Sequence, residues 1–188
     1  MRASAALLLF LLGAWCGGTL FMWQTAIQNF AVAEAIATSD HQGLRSAVGA
    51  VADEGLRQAL RFQASEVNRL FFAAWGWVQI PLAGACLLLA WIGRRGIAAP
   101  VLTGCMLLIA VALAAYVVPE TVRLGRMIDF ASQGELLEAR SAFWTLHHTY
   151  TGLDMLKLLL GLAAAAIAYR SWAGGTRETG GKSSEAPL

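Results

Sequence analysis

Charge is scarce in this chain. Asp, Glu, Lys and Arg make up 14% of its 188 residues, where a soluble domain carries about 25%. Basic residues barely outnumber acidic ones, for a net charge of +2. No basic stripe is present, which removes nucleic acid as a partner. Cysteine is rare as well: Cys16, Cys86 and Cys105 are an odd set, each inside an apolar block, which excludes a disulfide framework. The chain lacks a Gly-rich phosphate loop, His-Glu-x-x-His, Cys-x-x-Cys and Gly-x-Ser-x-Gly, so no familiar catalytic motif assigns a reaction.

What is abundant is apolar sequence, at 57% of residues. It is massed into four blocks, at about 5–28, 70–92, 97–118 and 152–172. Each has roughly the 20 residues that a helix rising ~1.5 Å per residue needs to cross a ~30 Å hydrocarbon core. Backbone groups find no water there, so these segments are expected to be helices. The reading is all-α: a left-handed antiparallel four-helix bundle integral to the membrane, in contact with the lipid bilayer. The first block follows Arg2 and precedes a cleavage-like Ala31-Val32-Ala33. Its apolar run exceeds the ~7–15 residues of a signal peptide, so it reads as a retained anchor.

Arg2, Arg94, Arg95, Arg170, Arg177 and Lys182 fall in the N-terminus, the short second loop and the tail. The long first and third loops hold arginines matched by acids. The positive-inside rule then places both termini in the cytoplasm, as in a multi-pass protein of a bacterial inner membrane. Leu56, Leu60, Val67 and Leu70 recur at near-helical spacing, after breaks expected at Gly43, Gly49 and Gly55. An amphipathic helix should therefore run into the second span. The third loop repeats the plan: a helix over 120–131, a break at 132–134, and a helix from Glu135 into the fourth span. These are two amphipathic helical extensions in the outward-facing loops. Residues 173–188 are polar and read as a disordered cytoplasmic tail.

Ionisable groups inside apolar spans are costly and default to functional hypotheses. His147, Tyr150, Asp154 and Lys157, spaced 3, 4 and 3, fall on one face of the fourth helix. Asp154 is placed to pair with Lys157 one turn on. Asn68, Trp75, Gln79 and Cys86 share a face of the second helix, and Gly17, Phe21, Gln24 and Gln28 a face of the first. The expected polar cluster is thus His147, Tyr150, Asp154, Lys157, Gln79, Gln24 and Gln28. Two readings stay open: hydrogen-bonding glue between helices, or a site for a small solute, ion or proton. Gly13 and Gly17 form a Gly-x-x-x-Gly expected to pack inside the bundle. No cofactor is expected. The alternative is a redox protein with a metal or haem on His147, the sole candidate ligand, since the adjacent His148 points about 100° away. A membrane-protein partner or a homo-oligomer is compatible with all of this.

Trp15-Cys-Gly17-Gly-x-x-Phe21 on the first helix, Asn68-x-Leu70-Phe71 opening the second and Phe143-Trp-x-Leu-His147 entering the fourth resemble the small four-span family called transmembrane-protein-205-like, a domain of unknown function. The resemblance covers most of residues 5–172. It implies a four-span helical protein with no assigned reaction, and makes His147 a landmark of undefined role. His148 and the Asp154/Lys157 pair depart from the family's expected apolar or amide residues.

Overall fold

The computed structural model describes residues 2–49, 53–93, 96–132 and 134–180. They form α1 (Arg2–Ala37), α2 (Gln42–Val48), α3 (Asp53–Ile92), α4 (Ala98–Ala112), α5 (Val118–Ile128) and α6 (Leu137–Gly180), with one π-turn (Leu113–Val117) joining α4 to α5. No strand occurs among the described residues. Four stretches are long and apolar enough to cross a membrane: Ala3–Ala37, Asp53–Ile92, Ala98–Ile128 and Leu137–Arg170. The fold is therefore all-helical with four span-capable helices. At ~1.5 Å per residue each stretch exceeds a ~30 Å hydrocarbon layer, so every one carries helix to spare.

The helices run alternately up and down. α1 and α4 each pack against α3 and α6 and face each other across the bundle. One end, here the terminal end, carries the start of α1, the end of α3 and the start of α4. The other, the loop end, carries residues 38–49, 129–132 and 134–136. Burial is inside out relative to a water-soluble bundle. The core is rich in alanine (Ala83, Ala90, Ala99, Ala110, Ala164, Ala168), while Phe10, Phe21, Leu70, Trp77, Leu108, Leu159 and Leu162 face outward. Small residues let helix backbones approach, and large apolar groups on the outside suit hydrocarbon rather than water.

Three departures from the sequence reading have local causes. The third span does not end at 118 before a separate helix; α4 passes through the π-turn into α5. Pro119 follows at once, lacking an N–H and crowding the carbonyl four residues back, and the wider i→i+5 turn makes room for it. Of the three glycines expected to break the first loop only Gly49 does so, with φ of 59° that favours glycine, whereas Gly43 lies within α2 and Gly55 within α3. His41 caps α2, its Nδ1 accepting from the Leu44 N–H at 3.3 Å. Finally, α6 continues as helix to Gly180, beyond the start of the expected tail. Residues 181–188, and the Arg94-Arg95 turn, lie outside the described residues.

Candidate functional site

The core of the terminal half of the bundle is apolar, made of Leu8, Leu12, Trp15, Cys86, Met106 and the core alanines. Toward the loop end polar groups enter. The inward face of α1 at this level is Trp15, Thr19 and Trp23, on successive turns. The Trp15 indole Nε1 donates to Gln79 Oε1 on α3 at 3.1 Å. The Trp23 Nε1 donates to Asp154 Oδ2 on α6 at 2.7 Å. Lys157 Nζ sits 2.6 Å from Asp154 Oδ1 and 5.7 Å from the centre of the Trp15 ring, a cation–π distance. Asp154 is 1% exposed and Lys157 0%.

The ion contact is close but its angles fall outside hydrogen-bond geometry. Lys157 Nζ and Asp154 Oδ1 consequently have no hydrogen-bond partner among the described residues, and neither do Thr19 Oγ1 and Trp75 Nε1. Each charge neutralises the other, which is what makes burial of either tolerable. The Trp75 ring reaches this layer because Gly18 opposite has no side chain; a Cβ there would strike it.

Directly above the Trp23 indole a cavity of about 560 Å³ opens between α1, α3, α5 and α6. That volume falls in the ~300–1,000 Å³ range of small-molecule sites. Aromatic and aliphatic side chains make most of its wall, including Trp23, Phe72, Val118, Val122 and Phe143. His147, Tyr150 and Asn68 supply polar positions. Asn68 is committed to the bundle: its Nδ2 donates to the Ala26 carbonyl at 3.1 Å, and its Oδ1 accepts from Asn29 Nδ2 at 2.5 Å. Tyr150 and His147 make ring contacts instead, Tyr150 edge-on to Phe72 at 5.3 Å and His147 stacked over Phe143 at 6.0 Å.

The cavity's direction of opening follows from its lining. The wall residues that are themselves exposed are Ile27 and Phe30 on α1 and His147, Thr151 and Met155 on α6. Those from α3 and α5 are all buried or half-buried. The mouth is therefore a sideways cleft between α1 and α6, above the point where Trp23 bridges to Asp154. A second cavity, of about 300 Å³, lies at the terminal end among Ala5, Leu8, Gly93 and Ala99. It is remote from the polar layer.

A clamp of charges closes the loop end over the cavity. Arg69 donates to both oxygens of Asp129 at 2.7 and 2.8 Å, and to Glu66 at 2.5 Å. Arg126 grips Glu66 in turn at 2.8 and 3.1 Å. The hydrogen bond from Arg126, then that from Arg69, holds the Glu66 carboxyl down at about 2, below the usual carboxylate range. Gly125 makes room for Arg69 and Phe143, since a Cβ there would lie 2.7 Å from the guanidinium. At the start of α6, Arg140 reaches back to the Ala131 and Ser132 carbonyls at 3.4 Å.

Of the residues expected from the sequence, the structure brings His147, Tyr150, Asp154, Lys157 and Gln79 together, the first two on the cavity and the other three beneath it. Gln24 and Gln28 are not with them. Both are exposed on the outer side of α1. At 100° per residue Gln24 lies about half a turn from Trp15, so the face they share with Gly17 and Phe21 is the outward one. Gly13 and Gly17, expected inside, have nothing within 4 Å of a Cβ added at either. The inward members of α1 are tryptophans and Thr19, which sequence reading passed over because an indole in a span looks apolar. Its N–H was the signal. Among the described residues no group of three or more His, Cys, Asp or Glu is placed to hold a metal ion.

Comparison with known protein families, with curated proteins and with solved structures finds no match. The resemblance to the four-span family therefore neither gains nor loses support, and no family is assigned.

Proposed function

We propose that this is a multi-pass membrane protein, without a catalytic role, whose loop-end cavity binds a small lipid-soluble molecule taken from the bilayer. The observation that carries the reading is the sideways mouth. Every exposed lining residue belongs to α1 or α6, on the flank of the bundle, where the exposed side chains include Leu20, Phe21, Leu156 and Leu159 beside the uncharged amides Gln24 and Gln28. A solute arriving from water would meet the Arg69–Asp129–Glu66–Arg126 clamp instead. Insertion is supported by the four span-capable helices and by exposed aromatics near the span ends, with Trp91, Tyr169 and Trp172 at the terminal end and Tyr116 toward the loop end. The positive-inside pattern puts the terminal end in the cytoplasm, so the cavity stands at the outer-leaflet level of a bacterial inner membrane. The four-span family resemblance agrees with this architecture.

The test is co-purification. Protein extracted from native membranes should carry lipid-soluble small molecules identifiable by mass spectrometry of an organic extract. Val122→Trp, which places an indole in the cavity, should lose them while keeping its melting temperature. Identical extracts from both proteins, each well folded, would refute ligand binding at the cavity.

A further inference from the structure

The wall of the cavity is electrically spent, and this selects among lipid-soluble molecules. Among the described residues Arg69 is its one charged lining residue. That guanidinium already faces two carboxylates, Asp129 with both oxygens and Glu66 with one. Below the floor, Asp154 is matched by Lys157 and screened from the cavity by the Trp23 N–H that caps it. Asn68 has both ends of its amide engaged. Thr121 and Thr151 give their protons to the Val117 and His147 carbonyls, at 2.7 and 3.0 Å.

What is left over is neutral. The Tyr150 hydroxyl and the His147 ring nitrogens make no hydrogen bond among the described residues, nor does the Ser65 hydroxyl, one turn from Arg69 on α3. A neutral imidazole offers one donor and one acceptor, and a phenol offers both. A ligand carrying a formal charge would give up its solvation and find no free counter-charge, which is expensive in an apolar enclosure. A hydroxyl would find both a donor and an acceptor for its head, and a carbonyl, which only accepts, would find a donor.

We infer that the ligand is an uncharged amphiphile, a hydrocarbon body with a single hydroxyl or carbonyl head, with the head held by Tyr150 and His147 and the body along Trp23, Phe72 and Val122. This rests on the cavity being a ligand site, and it adds the class of molecule and the two residues that recognise it.

Parinaryl alcohol and parinaric acid share one fluorescent tetraene chain and differ only in the head, so they separate the two claims. Titrated at pH 8 into the full chain in nanodiscs, with energy transfer from tryptophan as the signal, the alcohol should bind saturably. It should bind at least about tenfold tighter than the acid, the scale of an uncompensated charge against a satisfied hydrogen bond. Tyr150→Phe keeps the ring on Phe72 and removes only the hydroxyl. It should weaken the alcohol by about three- to tenfold and leave the acid nearly unchanged. His147→Gln should weaken the alcohol less, because the amide still donates and accepts. Ala26→Phe and Val122→Trp, which fill the cavity and are each checked for an unchanged melting temperature, should abolish both signals.

The failures are distinguishable. If neither probe saturates, or both filled variants bind normally, the cavity is not a ligand site. If both probes are displaced by the filled variants but the acid binds as tightly as the alcohol, the cavity stands and the neutral-head inference is overturned. If the alcohol is preferred yet unaffected by Tyr150→Phe and His147→Gln, the assignment of the head to those two residues is wrong.

Discussion

Trp23 on α1 and Asp154 on α6 are joined by a 2.7 Å hydrogen bond that forms the partition between the open cavity and the buried Asp154–Lys157 ion pair. On one side of it a ligand has room; on the other, two charges share a space without access to solvent. The same indole lines the cavity and satisfies the carboxylate. Binding above and electrostatics below therefore meet in one side chain. Trp23→Phe keeps an aromatic floor and removes the donor to a charged acceptor, a bond worth about 1.5–3 kcal/mol. Its melting temperature in detergent should fall clearly further than that of Trp15→Phe, which gives up a neutral bond to Gln79. Equal losses would show that the Trp23 bond is not specially strong.

The ion pair gives a second prediction. Asp154→Leu or Lys157→Leu alone strands the surviving charge in the core and should cost ~3–5 kcal/mol. Replacing both removes the problem along with the attraction and should be much milder. Thermal stabilities that simply add would mean that the two groups do not act as a pair.

The glycines of α1 divide sharply. Gly18→Ala puts a methyl into the Trp75 ring and should cost ~1–3 kcal/mol, as overpacking does. Gly13→Ala and Gly17→Ala meet open space and exchange glycine for a better helix former, so they should be neutral or slightly stabilising. A harmless Gly18→Ala would place α1 and α3 farther apart than found here.

The clamp at the loop end carries a pH signature. The folded Glu66 carboxyl lies at about 2, below its ordinary 4.5. A depressed carboxylate stabilises the folded state fully above the ordinary value, and loses that contribution as pH falls through the folded one. Removing it by Glu66→Gln should lower the melting temperature at pH 6 and make progressively less difference from pH 4.5 down to pH 2. A pH-independent effect of Glu66→Gln would show that the Arg126 and Arg69 contacts do not hold the charge.

Orientation is checked by reporter fusions. Fusions near Gly49 and Gly134 should read external and one at the C-terminus cytoplasmic. The opposite result would put the cavity at the inner leaflet.

The sequence by itself determined the number of span-capable helices, their rough extents and the up-and-down order, because ~20 mainly apolar residues have few other structures available. It also marked the inward face of α6, since four ionisable or polar groups at 3–4 spacing point one way, and charge avoids hydrocarbon whatever its neighbours. The face of α1 was decided only by the tertiary structure. In water, apolarity marks the inside; around this bundle Phe10, Leu20 and Phe21 face outward while Thr19 faces in, so polarity along α1 carries no phase. Two amides pointed the wrong way, and two indole N–H groups that meet Gln79 and Asp154 were invisible until the partner helices were in place. The clamp was hidden for a different reason. Arg69 and Asp129 lie 60 residues apart, and pairing across that distance depends on how α3 and α5 cross, which local spacing does not encode. The cavity belongs to the same category: it is the space that four helices leave between them, and no one segment specifies it.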